Sequence, residues 1–366
     1  MRSLSLSLLA LAATLSPVHA TRRWRDKVSH AVFFGDSFTD QSRSHSIDNG
    51  TYPGRYYETI YPPDDPAANG RVAWPRYFGL QTGLPYENYA VGGAVCSHEL
   101  TPGFTVPAVS GGQLAWFVQY HVLANATHNQ PPKLDIRGSE TLAIVWIGTN
   151  DLGAHSLLAP NPREGSSFWP NAPPLSPAVP PIAPGNDNAT TMLDLVDCQL
   201  GSLWKLWDYG VRNFLVLSTI PLHLTPLYSI TDEPTIYWPE PHDGASWHRQ
   251  MFQNANSLND LMRVSIRDAQ KEMSRKGGRI EFFDTYKFFQ ELYISPQNYF
   301  NGTAPVNVTG HCRQCPNATW TMCGIGDCTW EERDSFMWWD ELHPSEQTGR
   351  LLAKEIAKKL DGTSVY

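Results

Sequence analysis

The sequence predicts an α/β chain built on one doubly wound, five-stranded parallel sheet with helices on both faces. Three observations carry that prediction. Short apolar runs recur along the chain, helical patterns fall between or after them, and all but one of the runs are near-continuously apolar rather than alternating. A strand apolar on both sides suits a parallel sheet, whose two faces are both covered by helices. Strands alternating with helices imply right-handed crossover units.

The apolar runs are residues 31–34, 86–90, 142–147, 214–217 and 280–283, and 86–90 is the weakest of them. Residues 190–207 carry a helical stripe of Met192, Leu195, Val196, Leu203 and Leu206. Ser246 can cap a longer helix that places Met251, Ala255, Leu258, Met262, Ala269 and Met273 on one face, and Gly277-Gly278 ends it. The last helix, 345–360, buries Leu352, Ile356 and Leu360 and turns Lys354 and Lys358 outward. In such folds ligands bind beyond the carboxyl ends of the strands. Ser37 follows the first run directly and Asn150 follows the third, so both are expected on the same rim.

Residues 1–20 read as a secretory signal. Arg2 supplies the positive start, residues 4–15 the apolar core, and Val18-His19-Ala20 a small-residue cleavage pattern. The apolar stretch is short for a bilayer span, and Thr21-Arg22-Arg23 follows at once. The mature product, residues 21–366, is expected to be a single domain without stable membrane insertion, and a monomer. A stretch near 155–189, densest in proline between Pro160 and Pro184, cannot be helix interior or central strand and reads as a surface loop. The formal charge of -8 and the lack of a basic cluster argue against a nucleic-acid partner.

Six cysteines, Cys96, Cys198, Cys312, Cys315, Cys323 and Cys328, form an even set in an exported chain and point to disulfides. The last four lack the two tight pairs of a zinc ribbon. A Cys96–Cys198 bridge is one option, and the connectivity stays open at this point. No metal and no cofactor is expected. Six Asn-x-Ser/Thr sequons, at Asn49, Asn125, Asn188, Asn301, Asn307 and Asn317, are glycosylation candidates and mark surface.

The chemistry rests on four short pieces. Gly35-Asp36-Ser37 at a strand end offers an exposed hydroxyl. Asp340-x-x-His343 brings a carboxylate and an imidazole within one loop, where His343 can take the proton from Ser37 and Asp340 can orient the ring. An ester hydrolase also needs donors for the oxyanion. The Asn150 amide in Gly148-Thr149-Asn150-Asp151, a glycine N–H from Asn88-Tyr-Ala-Val-Gly-Gly93, and the Ser37 N–H can supply them.

In this order and at these strand ends, the four blocks resemble the GDSL-type lipases and esterases of the SGNH hydrolase superfamily. The resemblance spans nearly the whole mature chain and implies a flavodoxin-like strand order. It implies Ser37 as nucleophile, Asp340 and His343 as its partners, and Ser37, Gly93 and Asn150 as the oxyanion site, with Gly92 as the neighbouring option. Phe38 stands where many members carry leucine, and no Gly-x-Ser-x-Gly elbow is present, which sets the chain apart from the α/β-hydrolase fold. Length, cysteine content and the segment 88–96 are most similar to secreted fungal acetylesterases of carbohydrate esterase family 16. That resemblance implies an acetylated oligosaccharide or another small ester as substrate.

Two other functions compete with this one. A lipase or lysophospholipase would use the same groups on longer acyl chains, but no long apolar lid helix is evident. A non-catalytic saccharide-binding glycoprotein would use aromatic platforms, and Tyr56-Tyr57, Trp169 and Trp338-Trp339 are the candidates among 13 Trp and 15 Tyr. Trp338 and Trp339, beside the proposed base, are also expected to stack a sugar ring in the esterase reading.

Overall fold

The computed structural model describes residues 23–41, 67–102, 104–123, 133–154, 156–158, 190–315 and 322–366. Residues 1–20, the proline-rich stretch 160–184, Asn49, Asn125, Asn188, Asn317, Tyr56, Tyr57 and Trp169 lie outside them.

Five parallel strands form the sheet: β1 (His30–Gly35), β2 (Tyr86–Asn88), β3 (Thr141–Trp146), β4 (Asn213–Leu217) and β5 (Arg279–Phe283). Their order is β2-β1-β3-β4-β5, the flavodoxin-like arrangement. The chain steps from β1 to β2 on one side and then crosses to β3 on the other, so the topological switch lies between β1 and β3. Ala31, Val32, Phe33 and Phe34 are fully buried, as are Phe214 and Leu215. That is the physical content of the unbroken apolar runs.

Register sets the rim. β1 and β3 pair from His30↔Thr141 to Gly35↔Trp146, so the two strands end side by side and the residues after them emerge together. Gly35 makes this approach feasible, since a Cβ there would lie 2.4 Å from the Trp146 carbonyl oxygen.

The helices are α1 (Trp74–Thr82), α2 (Leu114–Val118), α3 (Thr149–Leu152), α4 (Met192–Asp208), α5 (Gly244–Arg275), α6 (Thr285–Ile294) and α7 (Glu346–Asp361). α1 packs on α7, and α4 packs on α5. A small parallel pair, β6 (Asn307–His311) and β7 (Phe336–Trp338), forms a second sheet.

Three boundaries differ from the sequence expectation for local reasons. The second strand stops at Asn88, because its side chain takes over the backbone's partners: Nδ2 donates to the Thr39 carbonyl at 2.7 Å and Oδ1 accepts from Ala90 N at 3.1 Å. The long helix is capped by Asp243, whose carboxylate accepts from Ser246 N at 2.8 Å, so Ser246 sits inside the first turn. The helix before β4 starts from Thr191 through a reciprocal capping box with Asp194. α7 begins as expected after Ser345, whose hydroxyl accepts from Thr348 N. α1 and α6 were not anticipated. The first is nine residues long with proline in its opening turn, and the second follows β5 across a single capping residue, Asp284.

All six cysteines are paired, as Cys96–Cys198, Cys312–Cys328 and Cys315–Cys323. The first bridge ties the loop after β2 to α4. The other two staple the segment between β6 and β7.

Candidate active site

Ser37 lies in the turn after β1. This turn is built by its neighbours: the Asp36 carbonyl accepts from Thr39 N and Asp40 N, and the Asp36 carboxyl accepts from Phe38 N at 3.0 Å. Gln113 brackets Gly35, accepting from its N–H and donating to its carbonyl. The hydroxyl of Ser37 is thereby held at the strand mouth, partly exposed.

Asp340 and His343 lie in a tight loop between β7 and α7. Trp339 N donates to the His343 carbonyl at 2.8 Å, and Ser345 N donates to Met337 O, which closes the loop at both ends. Within it, one Asp340 oxygen accepts from Leu342 N at 2.9 Å and from His343 N at 2.7 Å. The His343 ring fits between carboxylate and hydroxyl. Its Nδ1 lies 3.0 Å from both Asp340 oxygens, and its Nε2 lies 2.8 Å from Ser37 Oγ. Residues 306 positions apart thus form one continuous hydrogen-bonded line. Phe38 and Tyr237 pack edge-on against the imidazole.

The three groups expected as oxyanion donors differ in what their N–H groups already bind. Gly93 adopts φ +77°, a left-handed conformation open to glycine, and neither its N–H nor that of Ser37 donates to an acceptor among the described residues. Gly92 is not equivalent, because its N–H is committed to the Asp40 carboxylate at 2.7 Å. Asn150 is the second residue of the short helix α3, and its amide donates one N–H to the Ala94 carbonyl at 2.8 Å. A primary amide has a second N–H to offer. The next residue, Asp151, is fully buried and accepts from Cys96 N and from Thr101 Oγ1. These bonds lock the asparagine segment onto the glycine segment, and the Asn88 and Asp40 bonds lock the glycine segment onto the serine turn.

Burial charges the site unevenly. It pushes the Asp36 carboxyl up to about 7 and the Asp151 carboxyl up to about 6. Burial pushes Asp340 in the same direction, but its electrostatic interaction with His343 and the hydrogen bonds from His343 and Leu342 outweigh it and hold that carboxyl below its ordinary value. The carboxylate facing the imidazole is therefore the ionised one, as a base-orienting group requires.

Two clefts flank the line. Ser37, Phe38, Asn69, Trp146, Phe289 and His343 line the first. Phe104, Asn150, Leu227, Tyr228, Tyr237 and Leu342 line the second, about 290 Å³ including its open mouth.

One sequence expectation fails here. Trp338 is fully buried and donates its indole N–H to Val308 O, while Trp339 is 6% exposed, packed against Gly70 and under the Arg333 guanidinium. Neither ring offers a face to a sugar. The strand β7 that delivers Asp340 has to anchor in the core, and these tryptophans are its anchors. Asn301 is exposed, whereas Asn307 is half-buried with its side-chain oxygen accepting from Thr309 N and Gly310 N. Sequence reasoning missed Tyr237. Its hydroxyl donates to Asp340 Oδ2 at 2.7 Å and lies 3.0 Å from His343 Nδ1. It sits in an irregular stretch before α5, where nothing in the pattern separates it from any other core tyrosine.

The sequence profile of the GDSL-like lipase/acylhydrolase family matches residues 32–356. An acetylesterase of Hypocrea jecorina is 25% identical over 100% of this chain and 98% of its own length. An acetylesterase of Thermothelomyces thermophilus is 23% identical over 98% of this chain and 97% of its own. Among solved structures, an acetylxylan esterase from Geobacillus stearothermophilus is similar at a TM-score of 0.41 and 13% identity, covering 91% of this chain and 94% of that one.

Proposed function

The chain belongs to the GDSL-like lipase/acylhydrolase family and is a carboxylic ester hydrolase, and from that premise we propose that it is a secreted serine esterase removing short acyl groups, chiefly acetyl, from plant-wall saccharides. One observation carries the proposal: the unbroken line Ser37 Oγ–His343 Nε2 at 2.8 Å and His343 Nδ1–Asp340 at 3.0 Å.

In this reading each group has a role. Ser37 Oγ attacks the ester carbonyl while His343 Nε2 takes its proton. Asp340 fixes the ring with Nδ1–H toward itself and stabilises the imidazolium that forms. The carbonyl oxygen, now an oxyanion, meets the N–H groups of Ser37 and Gly93 and the amide of Asn150. His343 returns its proton to the departing alcohol, leaving an acyl-serine, and a water activated by the same imidazole releases the acid and restores Ser37.

Short acyl groups are favoured by the cleft beside Asn150. Aromatic and aliphatic side chains take up most of its wall. Phe104, Leu227, Tyr228 and Leu342 close it in. The two fungal acetylesterases that match almost end to end support the acetyl assignment. Export is supported by three disulfides, which persist in oxidising compartments, and by the signal pattern of residues 1–20. Glycosylation at the sequons belongs to the same reading, with exposed Asn301 the best placed of the two described ones.

An acyl-length series tests this directly. Acetyl esters should be hydrolysed faster than butyryl and far faster than octanoyl, and acetylated xylo-oligosaccharides should release acetate. A kcat/KM that climbs to octanoyl would transfer the chain to the lipase class.

A further inference from the structure

We propose that Tyr237 is a positioning residue of the catalytic line, holding the Asp340 carboxylate in place and tempering its pull on the His343 proton. The proposal rests on the esterase reading above. In a bare Ser-His-Asp line the carboxylate has two oxygens and the ring has one N–H to give. Here Asp340 Oδ1 is filled by the backbone N–H groups of Leu342 and His343. Oδ2 would otherwise have only the ring, and the Tyr237 hydroxyl fills it at 2.7 Å. With both oxygens occupied from fixed positions, the carboxylate cannot rotate away from Nδ1. Tyr237 is 5% exposed and packs its ring against the imidazole, so the hydroxyl is placed by the core rather than by solvent.

The phenol arrives on a strap that the same loop holds down. The Glu341 side chain, next to Asp340, accepts from Ile236 N at 2.8 Å, and Leu227 N donates to the Glu341 carbonyl. The strap closes on itself through Thr235 N to Trp238 O and Trp238 N to Thr235 Oγ1. The loop that carries the acid and base thus also fixes the residue that orients them. Burial beside Asp340 pushes the Tyr237 phenol far above its ordinary value, so it stays a donor throughout the working pH range.

The donor has a second consequence. A carboxylate already receiving a phenol proton carries less charge to share with an imidazolium. The charged groups facing this point are Asp340 and Glu341 from the loop itself, Asp36 from the serine turn and Arg313 from the segment after β6. Removing the phenol leaves Asp340 more negative toward the ring, and the base keeps its proton to higher pH.

The test is Tyr237→Phe, assayed on p-nitrophenyl acetate across pH, with Tm and the Nδ1 proton resonance of His343 measured alongside. We expect kcat to fall about tenfold with KM within roughly twofold, the magnitude of one hydrogen bond to a charged group. The acid limb of kcat/KM should move up by roughly half a pH unit, and the Nδ1 resonance should shift. A folded variant with unchanged kcat, acid limb and resonance would overturn the proposal. So would a loss of kcat that tracks a lowered Tm while limb and resonance stay put, because packing alone then accounts for it. A wild-type protein inactive on the ester would instead overturn the esterase reading, a result distinguishable from an active wild type indifferent to Tyr237.

Discussion

At the scale of residues, the Asn150 amide makes a prediction of its own. Asn150→Ala should lower kcat by roughly 10²–10³ with little change in KM, because the charge it serves exists only past the ground state. If KM rises and kcat holds, Asn150 binds substrate instead. The structure also divides two adjacent glycines that sequence could not. Gly92 N–H is spent on Asp40 and Gly93 N–H is not, and that difference depends on a carboxylate 52 positions away. Ser37, Asp340, His343 and Asn150 were legible because each sits in a short block whose order is informative. Tyr237 was illegible because its role comes from a contact across 103 positions, with no local pattern to announce it. Trp338 and Trp339 misled for the converse reason: adjacency to Asp340 in the chain says nothing about which way a ring faces.

At the scale of elements, caps and bridges decide which local signals mattered. Asp243→Ala should cost about 1 kcal/mol of stability through loss of the α5 cap, and Ser246→Ala should cost little, since its hydroxyl serves only an exposed Gln250. Thermal unfolding of the two variants would check the assignment, and the reverse ranking would restore Ser246 as the cap. β1, β3 and β4 were readable in sequence because both faces are buried, which leaves a run of apolar residues with no alternation to confuse. α6 was not, because one residue separates it from β5. Nor was the β6–β7 pair, whose first strand is half-exposed and held by neighbouring disulfides rather than by its own apolar content. Replacing Cys96 and Cys198 together by serine should cost about 2–5 kcal/mol. It should also lower kcat, because Cys96 N is one of the donors that seats Asp151 beside Asn150. Dialysis against EDTA should change neither Tm nor activity.

At the scale of the whole molecule, buried carboxyls fix the direction of the pH response. Burial raises Asp36 to about 7 from 3.8, Asp151 to about 6 from 3.8 and Glu341 to about 7 from 4.5. Between those ordinary and raised values the folded chain holds protons that the unfolded chain has released, so stability falls as pH rises through the window. His121 acts in the same sense. Burial lowers it, but the carboxylates of Glu87 and Asp135, 2.7 and 2.6 Å from its two nitrogens, outweigh that and raise it. The stability it lends is lost as pH climbs past its raised value. His223, pushed down to about 4 by burial, opposes them between there and 6.5. The carboxyls and His121 outnumber it, and Tm should be higher at pH 5 than at pH 8; a higher Tm at pH 8 would mean that these groups are ionised in the fold. All of this serves one arrangement, in which the sheet's switch point brings a serine from one end of the chain to a histidine from the other. The most direct measurement is acetate release by Ser37→Ala beside the wild type, at matched Tm, from p-nitrophenyl acetate and from acetylated xylo-oligosaccharide. The account predicts turnover near background on both substrates with the fold intact, and near-wild-type turnover in that variant would contradict it.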